Sequence, residues 1–76
     1  MSKERLNHIR ASLGLSQEAL ANLSGLSKPT IIDAEKHRPI QLLTAYAILN
    51  VLNGLRKERD QPELTIDSLD WNVKES

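Results

Sequence analysis

Apolar residues recur along the first half of the chain in short helical bursts separated by polar turns. Leu6, Ile9 and Leu13 share one face of a first segment, with Ser2 as its expected cap and Gly14 as its stop. Leu20 and Leu23 stripe a second segment, and Ala19 and Ala21 permit close approach to a neighbour. Ser16 is placed to accept hydrogen bonds from the free first-turn amides of a helix starting at Gln17. Gly25 supplies the left-handed position for a sharp turn. Ser27 then caps a third segment in which Ile31 and Ala34 point back toward the core. Pro29 is tolerated beside Lys28 because first-turn amides have no intrahelical acceptor. This spacing predicts helices near 17–24 and 28–36.

Pro39 breaks the chain after Lys36, His37 and Arg38. From Gln41 onward Ala45, Ile48, Leu49, Leu52 and Leu55 keep helical periodicity to about Arg59, with Gly54 as a point where the run could divide. Pro62 closes it. In the tail, Thr65 is expected to cap one turn through Leu69, and Leu69, Trp71 and Val73 alternate at the strand period. No second strand is evident, so the tail is expected either to pair with a copy of itself or to lie flat on the helices. The expected fold class is all-α, a compact domain of four to five helices with a short extended C-terminal tail. Residues 1–60 form the helical domain and 61–76 a C-terminal extension that could serve dimerisation.

Composition narrows the functional classes. With 76 residues there is room for one small domain, burying roughly 60% of its unfolded surface. Phenylalanine and cysteine are absent, and Tyr46 and Trp71 are the only aromatic residues. Disulfides and thiolate metal sites are therefore excluded. His8 and His37 have no cysteine or second histidine nearby to complete a metal site. Three scattered glycines make no phosphate-cradling loop. The expectation is a protein that is not an enzyme and needs no cofactor. No apolar run approaches the roughly 20 residues of a membrane span, and the start MSKERLNHIR lacks the apolar core of a secretory signal. A cytoplasmic location with no membrane contact is the expectation.

The segment Ser16–Glu35 reads as two short helices about a glycine turn, a helix-turn-helix suited to laying its second helix in the major groove of DNA. It resembles the lambda-repressor-like family, also called Xre or Cro, over about Leu6 to Leu52. The matching residues are Arg10, Gly14-Leu15-Ser16-Gln17, Leu20-Ala21, Gly25-Leu26-Ser27, Thr30-Ile31 and Glu35, in order and at family spacing. The resemblance implies a sequence-specific regulator of transcription on double-stranded DNA, most simply a repressor, binding as a homodimer. By the same resemblance Gln17 clamps a phosphate, where the bland alternative is an ordinary first-turn glutamine. Base reading falls to Lys28, Pro29, Ile32 and Asp33, with Ser27 and Thr30 at the edge of that face. Lys28 can donate to guanine or to phosphate, and Asp33 can accept from cytosine N4. Ile32 either packs on a thymine methyl or enlarges the core. Arg10 and Glu35 are expected to form a structural ion pair that fixes the angle of the second motif helix.

Departures from the family pattern leave a second reading open. A glycine common after the helix-3 acid is replaced by His37, and the following basic loop is about two residues shorter, leaving Lys36, His37 and Arg38 as phosphate contacts. Histidine reaches left-handed geometry less easily than glycine. Ala34 stands where a larger apolar residue is usual. The stretch RPIQLLTAYAILNVLNGL resembles a subgroup of compact regulators. The formal net charge is zero, with +2 on residues 1–38 and −2 on residues 39–76, which predicts modest non-specific affinity for DNA. The alternative is a helix-turn-helix used for protein contact, as an antitoxin or an adaptor subunit. For dimerisation the candidate face is Leu52, Leu55, Leu64, Ile66, Leu69 and Trp71, although Trp71 could equally belong to the monomer's core.

Overall fold

The computed structural model describes residues 3–74. Four helices carry the domain: α1 (Leu6–Ser12), α2 (Gln17–Ser24), α3 (Lys28–Glu35) and α4 (Leu42–Glu58). Two-residue strands precede α1 (β1, Glu4–Arg5) and α4 (β2, Ile40–Gln41). After α4 come a single 3₁₀ turn (Ile66–Ser68) and two further strands, β3 (Leu69–Asp70) and β4 (Val73–Lys74).

The helix starts follow the serines. Ser16 Oγ accepts from Ala19 N at 3.0 Å, and Ser27 Oγ accepts from Thr30 N at 3.4 Å. α1 begins later than the spacing predicted. Arg5 stands at its N-cap without a side-chain cap bond, and Ser2, the expected cap, lies outside the described residues. α4 runs through Gly54 as one helix of 17 residues.

All four helices end in the same way. A left-handed residue follows the last turn, and the next amide reaches back across six residues, a Schellman closure. The left-handed residues are Gly14, Gly25, His37 (φ +63°) and Asp60 (φ +58°). The closing bonds are Leu15 N to Arg10 O (3.1 Å), Leu26 N to Ala21 O (2.9 Å), Arg38 N to Asp33 O (2.9 Å) and Gln61 N to Arg56 O (2.9 Å). His37 therefore takes the left-handed geometry that the resembled family pattern assigns to glycine.

Fourteen apolar residues make the core, drawn from every helix and from the tail, and Leu6, Leu20, Ile31, Ile48, Leu52 and Leu69 are its largest fully buried side chains. Truncating a leucine at such a site costs about 2–5 kcal/mol. Leu52, Leu64 and Leu69 are thus consumed inside the monomer and are unavailable to the dimer face expected from the sequence. Leu55, Ile66 and Trp71 are half-buried and pack against the same core. Trp71 Nε1 donates to Ile66 O at 2.9 Å, so its polar edge is also satisfied within the chain.

The all-α expectation needs a correction in the tail. Its alternating residues do not form one strand, and their partners lie within the chain. β3 pairs in parallel with β1 (Glu4 with Leu69, Arg5 with Asp70), and β4 pairs in parallel with β2 (Ile40 with Val73, Gln41 with Lys74). The chain is mainly helical, and its tail ties down the two segments that lead into α1 and α4. Asn53 anchors the approach to this clasp, donating to Leu64 O at 2.9 Å and accepting from Leu64 N at 2.7 Å. Arg59 joins the far end of α4 to the end of α1, donating to Ser12 O at 2.9 Å. That places a cation against the free carbonyls of a helix C-terminus.

Candidate nucleic-acid interface

α3 is held by one face and open on the other. Ile31 and Ala34 are fully buried, which by helical spacing turns Lys28, Pro29, Ile32 and Asp33 outward. Lys28 and Pro29 are exposed, Thr30, Ile32 and Asp33 are half-buried, and Ser27 is exposed at the helix start. Ile32 stands outside the core cluster and outside the partly buried residues packed against it. The small Ala34 side chain meets the rest of the core at this point.

A network fixes the angle of this helix. Arg10 Nε donates to Glu35 Oε2 at 2.5 Å, Nη2 to Glu35 Oε1 at 3.4 Å, and Nη1 to Leu15 O at 2.8 Å. The expected ion pair is present, with its side chains only 16% and 9% exposed. Gln17 enters the same network, its Nε2 donating to Glu35 Oε1 at 2.9 Å. That amide nitrogen carries two hydrogens and Glu35 takes one. The second remains at the amino end of α2, where free backbone amides also gather.

The loop after α3 carries three exposed cationic or potentially cationic residues, and two have acidic partners. Arg38 Nη1 lies 2.9 Å from Asp33 Oδ1, and His37 Nε2 lies 3.2 Å from Asp70 Oδ2. Lys28 and Lys36 have no ion-pair partner among the described residues. The bond from His37 to β3 had no sequence signal, because its partner lies in the tail and neither residue belongs to a recognisable motif. The link from Gln17 to Glu35 was also missed. Its only trace in the sequence is the pairing of a first-turn glutamine with the acid already assigned to Arg10.

No group of three or more metal-ligating side chains forms among the described residues. A hollow of about 790 Å³ is an open surface depression lined by Lys3, Arg5, His8, Arg56 and Asp70 among others. Among the described residues, no helix is long and apolar enough to cross a membrane.

A helix-turn-helix family model, of the lambda-repressor-like Xre/Cro type, matches residues 6–59. That span covers α1 through α4 and the last carbonyl-capping arginine, Arg59. No curated protein and no solved structure matches the chain.

Proposed function

The chain belongs to the lambda-repressor-like (Xre/Cro) helix-turn-helix family, and from that premise we infer that it is a sequence-specific regulator of transcription. In this reading α3 enters the major groove, two copies occupy half-sites about 34–36 Å apart, and occupancy of the operator represses the adjoining gene. The observation that carries it is the orientation of α3. Its core face is locked by Ile31 and Ala34, its end is clamped by Arg10 through Glu35, and Lys28, Ile32 and Asp33 face outward.

Each outward residue has a role consistent with its chemistry. Lys28 donates to a guanine edge, Ile32 packs on a thymine methyl, and Asp33 accepts from a cytosine amine. Pro29, Ser27 and Thr30 shape the helix start that meets the backbone. Gln17, oriented by Glu35, offers its second amide hydrogen to a phosphate. Lys36, His37 and Arg38 flank the phosphates beyond the groove.

A second reading, a protein-contact module such as an antitoxin or adaptor subunit, is favoured by one observation: Asp33 and Asp70 hold Arg38 and His37, leaving few unpaired cations at the interface. Selection of bound duplexes from a random DNA pool, at low and moderate salt, separates the two. Enrichment of a two-fold symmetric site supports the regulator, and affinity should fall by about 0.9 log unit per neutralised phosphate for each decade of salt. A well-folded protein that enriches nothing moves the assignment to a protein partner.

A further inference from the structure

Three side chains that the core does not use, Leu43, Tyr46 and Asn50, lie along one exposed ridge of α4, and Gly54 and Lys57 continue it. Leu43 is 80% and Tyr46 47% exposed, two of the three large apolar side chains left open to solvent among the described residues. The steps along this ridge are three, four, four and three residues, a palindrome centred on Asn50. Such spacing keeps all five on one helical face over a rise of about 21 Å.

We propose that this ridge is the contact between two copies of the chain, packed antiparallel about a two-fold axis through Asn50. This orientation sets Tyr46 of one copy over Gly54 of the other. The phenol ring is a projecting apolar knob, and Gly54 is a notch at which an added Cβ would meet no atom within 4 Å. Leu43 meets the methylene stem of Lys57, whose ammonium remains free at the margin. The two Asn50 side chains face each other on the axis, where an amide can both donate and accept. Because the contact is isologous, each pairing occurs twice.

Charge is complementary in the same orientation. Asp67 lines, with Glu63, the hollow that opens beside Tyr46 and runs to Asn53. Lys57 lies toward the other end of the ridge, where Glu63 shares its hollow. Antiparallel packing carries each Lys57 toward the Asp67 end of the opposite copy, whereas parallel packing would set lysine beside lysine. The contact is independent of the tail residues already consumed by the core, so it replaces the dimer face suggested by the sequence. It rests on the reading that two copies act together, and it deepens that reading by naming where they meet.

The test is sedimentation equilibrium of the full chain without DNA, on the parent and on three variants. The parent is expected to show reversible dimerisation. Gly54→Lys fills the notch and is expected to be monomeric, with a melting temperature equal to or above the parent's because helical glycine is a weak helix former. Tyr46→Ala is expected to be monomeric too. Lys57→Asp weakens the dimer, and Asp67→Lys added to it restores association, a recovery that a general loss of stability would not give. A parent that stays monomeric at its highest soluble concentration overturns the proposal, as does a Gly54→Lys variant that remains dimeric. Failure of the DNA reading is recognised separately: the variants behave as expected while the random duplex pool yields no enriched site.

Discussion

The side-chain amide of Gln17 donates to Glu35 Oε1 at 2.9 Å, joining the first residue of α2 to the last residue of α3. The two helices of the motif are therefore braced at their open ends as well as by the Gly25 turn between them. Arg10 reaches the same carboxylate from α1, so one acid sets the relative placement of three helices.

Arg10→Met should lower stability substantially. Glu35 would lose its guanidinium partner while remaining largely enclosed, and breaking a buried pair on one side costs about 3–5 kcal/mol. Thermal unfolding measures this directly. A melting curve unchanged from the parent's would remove the bracing role assigned to the pair.

Lys28→Ala and Gln17→Ala should differ in kind. Lys28 is exposed at the start of α3 and has no ion-pair partner among the described residues, so its loss should relax base preference at one operator position, at a cost of about 1–3 kcal/mol on the best site. Gln17→Ala should weaken specific and random duplexes alike. Titration of both variants against both duplexes checks the contrast, and equal losses for Lys28→Ala would end its role as a base reader.

Asp33→Asn should raise affinity for DNA in general and steepen its dependence on salt. The acid now holds Arg38 and also repels phosphate. Releasing Arg38 to one phosphate adds about 0.9 to the slope of log affinity against log salt. Preference for cytosine at the position facing residue 33 should fall at the same time. An unaltered slope would place Arg38 away from the phosphates.

Asp60→Gly should stabilise the domain. Asp60 closes α4 in the left-handed region at φ +58°, a conformation costing most non-glycine residues about 1–2 kcal/mol and aspartate less. Part of that gain is offset by the greater chain entropy of unfolded glycine. A net gain near 1 kcal/mol would lift the melting temperature by about 4–8 °C. His37→Gly relieves the same geometry in α3 but removes the contact to Asp70, so its gain should be smaller. A melting temperature for Asp60→Gly below the parent's would show that the aspartate side chain contributes more than its backbone geometry costs.

The helices were legible in the sequence because their signals are local. Ser16 and Ser27 announce starts, Gly14 and Gly25 announce stops, and Leu20, Ile31, Ile48 and Leu52 mark the buried face by period alone. The paired Arg10 and Glu35 were legible only through family resemblance, since 25 residues separate them. The tail resisted for a physical reason. Strands of two residues have no period to detect, and their partners at Glu4–Arg5 and Ile40–Gln41 adjoin helices whose stronger pattern hides them. The helical period accordingly absorbs residues 4 and 5 into the first helix, where the fold has β1. The sequence alone places Leu52, Leu64 and Leu69 equally well on a dimer face, because an apolar side chain carries no mark distinguishing its own core from a neighbour's. Asp33 and Asp70 were visible as acids, but their hold on Arg38 and His37 depends on the folded path of the chain.

The tail clasp also bears on how the protein is made. Leu69 and Asp70 pair with Glu4 and Arg5, so during synthesis β1 waits for residues 65 positions further along the chain before its partner exists. Leu64 and Leu69 enter the core only then. A nascent chain arrested before Leu64 would display an unfilled apolar surface to cellular proteases. Synthesis past Leu69 is thus what completes the core, although every helix has by then already been made.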